Sequence, residues 1–141
     1  MSRTWILVAE SSRAKIYSTE NRTAIPAEVE DIIHPEGRLH EGELVSDRPG
    51  SDPGTVGQGR HVLDDKISAT QHEHMEFARE LARRLEAACD RGAFDKLVVA
   101  APPAFLGLLR DRLGKEVKEK VVREIDKNLV RQPAESLRDY I

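Results

Sequence analysis

Carboxylates, histidines and a glycine-rich run are the parts of this sequence with the means to do chemistry. Glu10 and Asp126 each follow a short apolar run, and Asp64 and Asp65 stand between them in the chain. Carboxylates gathered from separate places hold the paired metal ions of an RNase H-like nuclease. The plainer account makes Glu10 and Asp126 turn residues. Five histidines raise the question of a metal site. His72 and His74 are two apart, which on a helix sends them to different faces. His34, His40 and His61 stand near Glu41, Glu43 and Asp47, but no pair has a zinc spacing, so neither a metal site nor a cofactor is expected. Gly54, Gly57 and Gly59 precede Arg60 and His61, and glycines beside cations suit an anion. They lie outside any tight strand-to-helix turn, so a recognition loop fits them better than a phosphate cradle. Arg48, Arg60 and His61 are the candidates for contact with RNA phosphate. Cys89 falls on an apolar helix face and reads as a small core residue rather than a nucleophile.

These residues need elements to place them. The central one is Phe94 to Arg110, FDKLVVAAPPAFLGLLR. Its run from Leu97 to Ala101 is apolar on both faces, as in a central parallel strand. Pro102 and Pro103 end the ladder and open a helix, where a missing N–H is harmless. Trp5 to Ala9 is a second buried strand. Glu10-Ser11-Ser12-Arg13 is a turn into the alternating strand Ala14 to Ser18. Glu10, Ser11 and Arg13 there, with Asp126 after the last strand, are candidate binding residues. Ala27 to Ile33 is a third strand, at an edge because of its charges. Ser68 and Thr70 match capping boxes with Gln71 and Glu73, and Met75 to Cys89 keeps helical apolar spacing. Gly92 suits the end of that helix. Val121 to Ile125 is the fifth strand, and Pro133 opens a short terminal helix.

The order is β-β-β-loop-α-β-α-β-α. Short turns make the first three strands antiparallel, and helical crossovers make the last two parallel to the first. The prediction is an α/β fold with a five-stranded mixed sheet, order 3-2-1-4-5, strand 2 antiparallel to its neighbours, and helices on both faces. Residues 1–141 form a single domain, with an irregular loop at about 34–66.

With 22 basic and 25 acidic side chains, the net charge is −3, which argues against a global nucleic-acid footprint but leaves room for a local one. The single cysteine excludes an internal disulfide and fits a reducing compartment. The apolar N-terminal run is too short for a signal or a membrane span, so a cytoplasmic protein is expected. Oligomeric state is open, as is a protein partner.

Trp5-Ile6-Leu7-Val8-Ala9 turning through Ser11-Ser12-Arg13-Ala14 to Ile16-Tyr17 resembles the bacterial host attachment protein family. Phe94-Asp95-Lys96-Leu97 through Pro103 and Glu124-Ile125-Asp126-Lys127-Asn128-Leu129 carry the resemblance over essentially the whole chain. That family is similar in fold to the middle domain of archaeal and eukaryotic translation release factors and of the Pelota rescue factor, an RNase H-like arrangement. The resemblance implies a binding module acting on the ribosome or RNA, and the family name implies a role in attachment to a host. In release factors the segment before the long helix carries Gly-Gly-Gln, which promotes peptidyl-tRNA hydrolysis. The equivalent here is Val56-Gly57-Gln58-Gly59, which makes Gly57, Gln58 and Gly59 the implied catalytic candidates. Val56 replaces the first glycine and restricts φ where the backbone must approach an ester closely. Binding is therefore expected ahead of hydrolysis. The alternatives are an attachment-related regulatory protein without RNA contact, and a hydrolase of peptidyl-tRNA or nucleic acid.

Overall fold

β1 (Thr4–Ala9) runs through the middle of a five-stranded sheet because both of its faces are apolar. The computed structural model describes residues 2–34 and 56–141, with the backbone alone over 56–68. The strand order is β3-β2-β1-β4-β5. β2 (Arg13–Thr19) pairs antiparallel with β1 and with β3 (Ala27–Ile33). β4 (Lys96–Ala100) lies parallel to β1, with Leu7 opposite Val99, and β5 (Val121–Ile125) lies parallel to β4. The order, directions and expected burial of Leu7, Val98 and Val99 all agree with the sequence pattern.

Successive strand residues point to opposite faces, and here each set has its own core. Trp5, Leu7, Ile16, Leu97 and Val99 meet α1 (Val56–Asp90), α2 (Pro103–Arg112) and α3 (Lys115–Lys120). The helices contribute Phe77, Leu81 and Leu85 from α1, Leu109 from α2 and Val117 from α3. Ile6, Val8, Tyr17, Val98 and Ile125 face the other way, onto Leu129, Val130 and Leu137 of the C-terminal stretch. Helices therefore cover both faces unequally. Among the described residues three α-helices lie on one, and a 3₁₀ helix, Ala134–Tyr140, lies on the other.

Both edge strands carry a bulge. Val29 has no partner between the pairs Ile16–Glu30 and Tyr17–Glu28. Val122 has none between Leu97–Val121 and Val98–Arg123. Each valine is exposed, and a bulge at an edge blunts pairing with a foreign strand.

One expectation needs correction. The segment read as loop to about residue 66 ends earlier, because α1 begins at Val56. No proline interrupts the sequence between Pro53 and Pro102, and Leu63 and Ile67 keep helical spacing, so nothing stops the helix from extending back through Ser68 and Thr70. Gly57, Gln58 and Gly59 thus open a helix rather than a loop. Residues 35–55, including Arg48, lie outside the described residues. The other end of α1 is as read. Gly92 adopts φ 72°, while its N–H reaches the Cys89 carbonyl and that of Ala93 reaches Ala88, the paired closure of a Schellman motif.

Candidate functional site

β1, β4 and β5 are parallel, so their carboxyl ends share one edge. At that edge the chain parts. After β1 it turns back into β2, and after β4 it leaves through α2 towards β5. Diverging connections leave a crevice outside the strand ends, the usual ligand position in open α/β sheets. A cleft of about 480 Å³ lies there. Glu10, Ser11 and Ser12 from the β1–β2 turn form one wall, with Asn128 beyond β5. Gln71 and His74 of α1 form another, and the apolar part comes from Pro102, Ala104, Phe105 and Leu108.

The polar wall is fixed by hydrogen bonds. Asn128 Nδ2 donates to Glu10 Oε2 at 3.0 Å, and Asn128 Oδ1 accepts the Val130 N–H at 3.1 Å. The Glu10 N–H donates to the Arg13 carbonyl at 2.8 Å. Behind the cleft, His34 joins the end of β3 to α1. Its Nε2 lies 3.0 Å from Glu73 Oε2, and its N–H donates to the Ser12 carbonyl at 2.9 Å. The His34 ring stacks on Phe77 at 5.2 Å between centroids, and Phe77 meets Phe105 at 5.9 Å. A packed aromatic column therefore holds α1 and α2 against the β1–β2 turn.

The expected residues divide. Glu10 and Ser11 line the cleft. Arg13 does not. Its guanidinium reaches Asp31 with Nε to Oδ1 at 3.3 Å and Nη2 to Oδ2 at 2.9 Å. The hydrogen bond to Arg13 holds the Asp31 carboxyl below the usual carboxylate range and raises the guanidinium in turn. Asp126 is exposed and stands outside the lining. Among the described residues no three His, Cys, Asp or Glu side chains group as metal ligands. The side chains of Arg60, His61, Asp64 and Asp65 lie outside the described residues, as does His40. His72 sits 4.0 Å from Glu76, whereas His74 lines the cleft, the divergence that their spacing requires. Cys89 is half-buried against the core, and burial pushes its thiol upward, away from a nucleophile's range.

Sequence reasoning missed Asn128, Ser12, Gln71, His74 and the His34–Glu73 pair. Asn128 had a usable signal, since it follows β5 at the edge where Glu10 follows β1.

The sequence model of a family described as proteins required for attachment to host cells matches residues 5–141. The chain belongs to that family. Among proteins of curated function, none matches it. In this host attachment protein family member, no helix among the described residues is long and apolar enough to cross a membrane.

Proposed function

We propose that this host attachment family member is a cytoplasmic binding module that docks through the carboxyl edge of its sheet, with the ribosome or RNA as its partner. The observation that carries the reading is the sheet itself. Its order β3-β2-β1-β4-β5, with β2 antiparallel and the long α1 entering after β3, is the arrangement that the resemblance to release-factor middle domains implies. Fold alone never fixes a function, so the cleft at the edge supplies the second support.

Docking suits the edge better than hydrolysis. β1 and β4 contain no carboxylate within their strands, and Glu10 is held by an amide rather than by a second acid. Release-factor chemistry needs an open loop that presents the Gln58 backbone, and Val56 to Arg60 is instead helical.

A second reading is an attachment-related regulatory protein without RNA contact. One observation favours it. Among the described residues no lysine or arginine lines the cleft, whereas phosphate contacts depend on them.

Co-sedimentation with ribosomes at low and high salt separates the two. Sedimentation that weakens as salt rises supports a ribosomal partner. A chain that stays in the supernatant at every salt concentration and binds no RNA oligonucleotide rejects both partners and leaves the second reading.

A further inference from the structure

Among the described residues Glu10 is the one carboxylate lining the cleft, and His74 is the one ionisable side chain beside it. Among those residues Glu10 forms no ion pair, and its carboxylate takes a single hydrogen bond, from Asn128 to Oε2. Oε1 accepts no hydrogen bond among the described residues. Asn128 is anchored at both ends of its amide, to Glu10 and to the Val130 N–H, so the carboxylate is held in place before any ligand arrives. The nearest basic side chain in sequence, Arg13, is committed to Asp31. Ser11, Ser12 and Gln71 share the lining with Glu10, and Phe105 and Leu108 supply its apolar part.

A fixed carboxylate next to apolar surface suits a side chain with an aliphatic stem and a cationic head. Arginine prefers both oxygens of a carboxylate, which its planar fork engages together. Here Oε2 already accepts from Asn128, so an arginine fork would have to share that oxygen with the amide. A lysine ammonium is a compact charge with three donors and no such demand. Glu10 Oε1, a serine hydroxyl and the Gln71 carbonyl offer three acceptors. The volume, about 480 Å³, is in the range of small-ligand sites and admits a side chain with its flanking backbone.

We infer that the carboxyl-edge cleft holds a lysine side chain from a partner protein segment, its ammonium on Glu10 and its stem along Phe105 and Leu108. This rests on the reading of the carboxyl edge as the docking face, and not on the ribosome being the partner.

The test is a titration of the isotope-labelled full chain, followed by NMR, with a capped peptide Gly-Ser-Lys-Ser-Gly. Shifts are expected at residues 10–12, 71, 74, 105, 108 and 128. Acetylating the lysine, and separately Glu10→Gln, should each weaken binding about tenfold or more, since each removes a charge-assisted hydrogen bond. The arginine peptide should bind more weakly than the lysine peptide. Glutamine keeps the shape and still accepts from Asn128, so an unchanged spectrum of the free variant confirms its fold. Binding that survives acetylation or Glu10→Gln overturns the inference, and so do shifts from an RNA oligonucleotide at these residues with none from the peptide. Peptide binding without ribosome sedimentation supports the lysine site and removes the ribosome. Sedimentation without peptide binding overturns the lysine site and leaves the docking face.

Discussion

Asn128 Nδ2 lies 3.0 Å from Glu10 Oε2, a contact between residues 118 positions apart in sequence. It joins the segment after β5 to the turn after β1, across the end of β4. Replacing the amide by an acid tests it. Asn128→Asp retains the acceptor for the Val130 N–H but places a second carboxylate against Glu10. Two ionised carboxylates at this separation repel. The variant should lose stability at neutral pH and recover part of it in acid, where one of the pair is protonated. Urea denaturation at the two pH values measures the difference, and an equal loss at both would show that the two side chains do not meet.

His34 is a joint rather than a surface residue. It bonds Glu73, stacks on Phe77 and is only 13% exposed in its side chain. His34→Ala removes a hydrogen bond and a ring contact, so a loss of about 1–2 kcal/mol is expected. Glu73→Gln keeps an acceptor for the ring and should cost less. Thermal or urea unfolding of the pair checks the ranking.

The Arg13–Asp31 pair gives a pH dependence of definite sign. Its hydrogen bond lowers the Asp31 carboxyl in the folded protein. A lowered folded value means stability present above the ordinary carboxylate range and lost as pH falls through the folded one. Asp31→Asn should therefore be less stable than the parent at neutral pH, and the gap should close in strong acid. Both side chains are more than a third exposed, so the gap should be small and shrink with salt.

Cys89 should behave as a sluggish thiol. Burial raises its proton affinity, which lowers the thiolate fraction at neutral pH. Its alkylation by iodoacetamide should be slower than that of a free cysteine, and should rise towards higher pH before levelling. A rate equal to that of the urea-unfolded chain would contradict this.

Much of the fold was legible in local pattern. Trp5 to Ala9 and Leu97 to Ala101 are apolar on both faces, and only a central strand buries both. Val121 to Ile125 was recognisable by composition and by its helical approach. The start of α1 was not, because a cap-like motif at Ser68 and Thr70 looks the same inside a helix as at its end. Part of the cleft lining was legible as well. Glu10 and Ser11 follow a strand whose end must lie at an edge. Gln71 and His74 were invisible, since their position depends on how α1 crosses the sheet, and no local spacing encodes that. Arg13 lies outside that lining because its long side chain finds its partner on the neighbouring strand, at Asp31.

Hydrogen exchange of the full chain, measured with and without ribosomes, tests the docking face most directly. The expected result is protection at residues 10–13, 71–74 and 126–129, with the opposite end of the sheet unchanged. Protection confined to the 3₁₀ helix at 134–140 or to the β3 edge, with the carboxyl edge exchanging as in the free chain, would contradict it.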